Sequence, residues 1–188
     1  EAVRSVVETE PSYRRYAFTE DGVSPRGIPG FGWGLVVAGS DEHDEAGHIT
    51  ENLGIRARMV DKRLSKEKRL REEALSPVLH GSESCETLLI GWGSTDKIIQ
   101  EALESIGKET LSYLHFSQVY PLSPEAAVYL KKAKTVISIE GNATGQFAAL
   151  VEKETGIPVT GKILRYDGLP FTVEELVERI GKILEGEG

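Results

Sequence analysis

Apolar positions follow two different regimes along the chain. From Thr87 onward, short apolar runs alternate with stretches whose apolar residues recur at helical spacing. Thr87-Leu88-Leu89-Ile90 predicts a strand ended by Gly91-Trp92-Gly93-Ser94-Thr95. Ile98, Ile99, Ala102, Leu103 and Ile106 then share one face of a helix at i, i+3/i+4 spacing. Leu111–Phe116 predicts the next strand, and Ser123-Pro124-Glu125 opens a helix that ends near Lys131 and Lys132. Thr135–Ile139 predicts a third, β-branched strand, followed by a helix turning Phe147, Leu150 and Val151 inward. Val159–Arg165 predicts a fourth strand. Thr172 with Glu175 forms a capping box before Val173, Leu176, Val177, Ile180, Ile183 and Leu184, the apolar face of a last helix. Four strand–helix units in this length predict a three-layer α/β/α fold around a largely parallel sheet.

Before residue 86 the pattern is punctuation, not period. Pro29-Gly30-Phe31-Gly32-Trp33-Gly34 and the acidic run Asp41-Glu42-His43-Asp44-Glu45 dominate it. The stretch from Glu51 to Leu75 is dense in charge and predicts a mostly solvated helix, with Gly54 as a candidate break. Leu35–Ala38 predicts a short strand. The expected division is a turn-rich connecting segment at 1–85 and an α/β domain at 86–188.

Charge adds little contrast between these parts. Residues 1–86 carry 12 basic and 16 acidic side chains, the remainder 10 and 14, and the whole chain has net charge −8. That acidity argues against general nucleic-acid binding. One cysteine, Cys85, excludes an internal disulfide framework and an iron–sulfur cluster held by this chain alone. No stretch is long and apolar enough for a transmembrane helix, and the start lacks a secretory h-region, so a cytoplasmic protein is expected. The chain opens without Met, and the expectation is a piece of something longer.

Chemistry-bearing residues gather where strands end. In a parallel sheet with right-handed crossovers, Gly91–Thr95, Gln118–Pro121 and Glu140–Gln146 share the carboxy edge, where open α/β sheets bind ligands or partners. His115, Gln118, Glu140, Asn142 and Gln146 are the candidate interface residues there. Glu140 stands out, because a carboxylate ending an apolar strand needs a partner or water. No catalytic residue is assigned. Neither glycine segment matches a nucleotide fingerprint. His43 and His48 are five apart and H-E-x-x-H is missing, so the acidic run is expected to be a hydrogen-bonded loop and no metal site is assigned. Lys62, Arg63, Lys66, Lys68, Arg69 and Arg71 form either a solvated helix face or a patch for an anionic partner.

Taken in order, Tyr13-Arg14-Arg15-Tyr16, Gly22–Arg26, Pro29-Gly30, Asp41–Glu45, Gly47–Thr50, Arg58–Arg63, Ile90–Thr95, His115 with Gln118–Pro121, and Glu140–Gln146 resemble one family. They look like the C-terminal part of the α subunit of 2-oxoacid:ferredoxin oxidoreductases, most like the 2-oxoglutarate-type branch. The resemblance implies that residues from about 86 form a transketolase C-terminal-like domain. It also implies a complete complex using thiamine diphosphate, magnesium and iron–sulfur clusters, with coenzyme A and ferredoxin as acceptors. The partners implied are a β subunit carrying the thiamine site and the N-terminal domain of the same subunit. No Gly-Asp-Gly occurs here; the nearest string is Tyr166-Asp167-Gly168. This chain is therefore expected to bind none of those cofactors and to act in domain and subunit assembly. A small module binding an anionic ligand at the carboxy edge is the alternative.

Overall fold

A computed structural model describes residues 6–186, which divide into two units, the first ending at Glu72 and the second beginning at Glu73. The second unit is built on one five-stranded sheet. Its strands are β1 (Val78–His80), β2 (Thr87–Trp92), β3 (Leu111–Phe116), β4 (Thr135–Glu140) and β5 (Gly161–Leu164), in the order β1-β3-β2-β4-β5. Four strands are parallel; β1 pairs antiparallel with β3, Leu79 opposite Leu114. The α/β class and the four parallel strands are as expected. The sheet reaches back to Val78, before residue 86, because the three residues of β1 cover the open edge of β3.

Strand alternation decides which helix lies on which face. Leu88 and Ile90 of β2, Leu114 and Phe116 of β3, and Val136 of β4 pack with Ala126 and Leu130 of α3 (Glu125–Leu130) and Phe147, Ala148 and Val151 of α4 (Gln146–Thr155). Leu89, Tyr113, Ile137, Ile139 and Ile163 face the other way. They pack with Ile99 and Ala102 of α2 (Asp96–Ile106) and Leu176 and Ile180 of α5 (Val173–Leu184). Most of these side chains are fully buried. Leu150, expected inward, is half-buried, and Ala148 takes the inward position. Two strands run further than the apolar pattern indicates, β2 through Gly91-Trp92 and β4 through Glu140. Thr172 caps α5 by accepting from the Glu175 amide, but the Glu175 carboxylate turns to Arg165 and Arg179 instead of completing the capping box.

The first unit is organised otherwise. Its single helix, α1 (Leu53–Glu72), runs unbroken through Gly54 and buries only Met59. Leu35–Ala38 is not a strand: among the described residues of this unit there are only isolated bridges, and this stretch takes part in none. The coil is held instead by polar side chains. Lys62 Nζ donates to the Tyr16 carbonyl at 2.7 Å and to the Ser24 hydroxyl, and Arg58 lies 4.2 Å above the centre of the Phe18 ring. The coil also packs closely on the helix: a Cβ at Gly22 (φ 73°) would sit 2.7 Å from the Lys62 carbonyl oxygen. No helix among the described residues is long and apolar enough to cross a membrane.

Candidate functional site

The carboxy edge of the sheet gathers the segments after β2, β3, β4 and β5. Since β2 leads to β3 on one side and β4 leads to β5 on the other, the connections diverge between β2 and β4. Such a switch point is the usual crevice of an open α/β sheet. An open cavity of about 510 Å³ lies there, lined by Ser94, Thr95, Ile98, Gly141, Arg165, Tyr166 and the stretch from Gly168 to Phe171. Arg165 and its loop were not among the sequence candidates, although they follow a strand by the same logic as the others. Tyr166-Asp167-Gly168 drew attention only as a near match to a diphosphate motif. Arg165 is matched by two carboxylates: Asp167 takes a two-pronged contact at 2.9 and 3.1 Å, and Glu175 takes the other arm. The guanidinium is therefore neutralised in place, which counts against capture of an anion.

The five interface candidates do not form one cluster. β2 lies between β3 and β4, and the register puts His115 and Glu140 on opposite faces of the sheet. Glu140, 1% exposed, lies under the start of α4. Its Oε1 accepts from Ser138 Oγ at 2.7 Å and from the Ala148 amide at 2.9 Å. Its Oε2 accepts from Asn142 Nδ2 at 2.7 Å and from the Phe147 amide at 2.8 Å. The carboxylate thus satisfies two of the orphan amides of α4 and sits at the favourable end of the helix dipole. Burial pushes its pKa up, but the four hydrogen bonds outweigh that and hold it below the ordinary glutamate value. Of the partner or water that a carboxylate ending an apolar strand needs, the chain supplies the partners.

Asn142 completes the same cap, its Oδ1 accepting from the amides of Thr144, Gly145 and Gln146 at 3.1, 2.8 and 3.3 Å. Gly145 is left-handed (φ 65°), and a Cβ there would meet the Lys162 side chain at 3.0 Å. Gln146 is exposed. Gln118 closes its own loop, Nε2 donating to the Pro121 carbonyl at 3.0 Å and Oε1 accepting from the Leu75 amide at 3.4 Å. On the other face, His115 Nδ1 lies 3.7 Å from Asp96 Oδ1, which also accepts from Gln100 at 2.6 Å. His115 Nε2 is buried and finds no hydrogen-bond partner among the described residues. Burial, reinforced by the Asp96 carboxylate, pushes the neighbouring Tyr113 phenol well above its ordinary pKa.

The basic and acidic candidates of the first unit largely answer one another. Arg63 forks onto Glu42 at 3.1 and 3.0 Å, Arg69 reaches Asp21 at 3.3 Å, and Arg71 pairs with Glu67 at 2.7 Å. With Lys62 on the coil, four of the six cations of the candidate patch are engaged inside the chain. In the acidic run, Glu45 accepts from Arg14 and from the Phe18 amide, while Asp44 Oδ1 accepts from the Ala46 and His48 amides. Among the described residues no group of three His, Cys, Asp or Glu side chains could hold a metal ion. Cys85 is a buried free thiol. With one cysteine, the chain cannot by itself supply the ligands of a four-cysteine iron–sulfur cluster.

No protein-family model matches the chain. A 2-oxoacid:ferredoxin oxidoreductase subunit alpha from Sulfurisphaera tokodaii is 34% identical over 179 residues, 93% of this chain and 28% of that protein. A second such alpha subunit, from Aeropyrum pernix, is 36% identical over 181 residues, 92% of this chain and 28% of its own length. Among solved structures, a 2-oxoglutarate:ferredoxin oxidoreductase from Magnetococcus marinus, with 2-oxoglutarate, coenzyme A and succinyl-CoA bound, superposes with a TM-score of 0.78. It is 28% identical and matches 95% of this chain and 32% of its own.

Proposed function

We propose that this chain, which is homologous to part of the alpha subunit of 2-oxoacid:ferredoxin oxidoreductases, is a non-catalytic assembly domain of such an enzyme. The observation that carries the reading is the match itself: it runs through both units of the chain at 34% identity. The chain spans 28% of the length of the curated relatives it matches, so the reaction is a property of the longer protein.

In that protein the reaction is oxidative decarboxylation of a 2-oxoacid such as 2-oxoglutarate, the acyl group passing to coenzyme A and the electrons to ferredoxin. Thiamine diphosphate, magnesium and iron–sulfur clusters supply that chemistry and are held outside this chain, the diphosphate by a β subunit. What supports a positioning role here is the way the chain's own groups are occupied. Glu140 and Asn142 close the start of α4, and Arg165 is neutralised by Asp167 and Glu175. The acidic run ties the first unit together.

The test compares this chain with the complete alpha–beta complex that contains its sequence. Viologen reduction is measured with 2-oxoglutarate and other 2-oxoacids in the presence of coenzyme A. The complex should turn over a 2-oxoacid and the chain alone should not. Deleting residues 73–188 from the complete alpha subunit should abolish co-purification with the beta subunit or turnover. Thiamine-dependent turnover by the chain alone, or a deleted complex that still assembles and works, would overturn the reading.

A further inference from the structure

We infer that the loop from Ile28 to Leu35 is a preformed docking anchor, with Trp33 as its knob, for a portion of the alpha subunit that lies outside this chain. The inference rests on the assembly reading above and names the surface and the occupant. The loop's backbone is pinned by Thr9, itself 2% exposed. The Thr9 amide donates to the Phe31 carbonyl at 3.0 Å. The Thr9 carbonyl accepts from the Trp33 and Gly34 amides at 2.6 and 3.1 Å. Its hydroxyl donates to the Phe31 carbonyl at 2.9 Å. The fit allows no side chain on the inner positions. A Cβ at Gly32 (φ 98°) would fall 2.2 Å from the Thr9 carbonyl oxygen, and one at Gly34 would fall 2.1 Å from that of Glu10.

Holding the glycines in place turns their apolar neighbours outward. Trp33 is 90% exposed and Leu35 77%, flanked by Ile28 and Phe31 at 42% and 44%. Single exposed apolar residues are ordinary, but four within eight positions of one pinned loop are a local concentration. No charged residue occurs between Ile28 and Leu35. Charge depletion with a central aromatic is the composition of an interface core, not of its rim. A backbone already fixed loses little conformational entropy on docking, so most of the burial of Trp33 is available for affinity.

The occupant is an apolar surface of the same subunit. Most of the length of the matched relatives lies outside the region that corresponds to this chain, and the uncharged loop has nothing with which to select an acidic or basic partner.

Hydroxyl-radical footprinting read by mass spectrometry tests this on the chain alone, on the complete alpha subunit without beta and on the complete alpha–beta complex. Protection of Trp33 that appears only with the beta subunit would overturn the choice of occupant. Trp33 should be oxidised rapidly in the chain, at a rate independent of its concentration, and at least about 10-fold more slowly in the complex. Trp33→Ala in the complete alpha subunit should shift the loop toward its undocked state by about 30-fold, the scale of a 2 kcal/mol hot spot, read as faster oxidation of Phe31. Trp33→Ala in the chain alone should leave its melting temperature unchanged, since the side chain is in water there. Equal oxidation of Trp33 in a complex that still turns over a 2-oxoacid would overturn the docking inference and leave the assembly reading standing. Oxidation in the chain alone that slows as its concentration rises would overturn it in favour of a second copy. Protection of Trp33 in a complex without 2-oxoacid activity would support the anchor while the enzyme reading fell.

Discussion

α1 buries Met59 alone along 20 residues, whereas β2 and β4 bury five of their six residues each. The sheet unit is closed by two apolar layers whose members repeat with the periods of strand and helix. The first unit is closed by charged and polar side chains reaching to backbone groups far away in sequence. The contrast teaches that charged side chains can play opposite parts in two units of one chain. In one the charges, Glu140 apart, lie outside a core; in the other they replace the core. Exposed pairs of that kind contribute little each and are screened by salt, while buried apolar area is not.

The largest expected effect lies in the sheet. Ile137→Ala removes a side chain with no exposure from the centre of the parallel strands. It should cost about 2–5 kcal/mol, read as a fall in the melting temperature of the chain by circular dichroism. Arg63→Ala, its counterpart in the first unit, should leave that transition in place. Equal losses from the two substitutions would erase the contrast.

A smaller effect is expected at Glu140. Gln in its place keeps one acceptor but aims an amide at donors that now have none. The sheet unit should lose about 1–3 kcal/mol at neutral pH. The sign of the pH dependence follows from the lowered pKa. A carboxyl whose folded pKa is depressed contributes stability above the ordinary glutamate value and loses it as pH falls through the folded value. The gap between the native chain and Glu140→Gln should therefore be widest at neutral pH and close under acid. Denaturant unfolding at several pH values measures it.

These differences also explain what could be read from sequence. The parallel strands and the helix faces were legible because apolar residues repeat at period 2 or 3.6, and Glu140 was legible as a carboxylate with no apolar reason to end a strand. The faces on which His115 and Glu140 lie were not, because they depend on the register of β3 and β4 against β2, which neither segment carries alone. β1 was missed as three residues following Pro77. Leu35–Ala38 has the residues of a strand but no pairing partner, and here pairing decides. Outside α1, which its charge density announces, the first unit left almost no signal. Thr9 with Phe31, Lys62 with Tyr16 and Arg63 with Glu42 are 22, 46 and 21 residues apart, and such contacts have no period.

Thr9→Val sharpens the comparison within the first unit. It keeps the shape of the side chain and removes the hydroxyl that bonds the Phe31 carbonyl, a loss of about 1 kcal/mol. Amide exchange at Trp33 and Gly34 should speed up by roughly 5-fold, with β2 to β5 unaffected. The smallest effect is that of salt. At 1 M the screening length falls to about 3 Å. Proteolysis of residues 13–50 should then rise modestly, while the sheet unit stays resistant.

The most direct test is hydrogen exchange followed by mass spectrometry through a urea series. Peptides covering 87–92, 111–116 and 135–140 should lose protection together at one high midpoint. Peptides covering 13–27 and 41–50 should lose it at a distinctly lower one. A single midpoint shared by every peptide would contradict the division into an apolar and a polar unit.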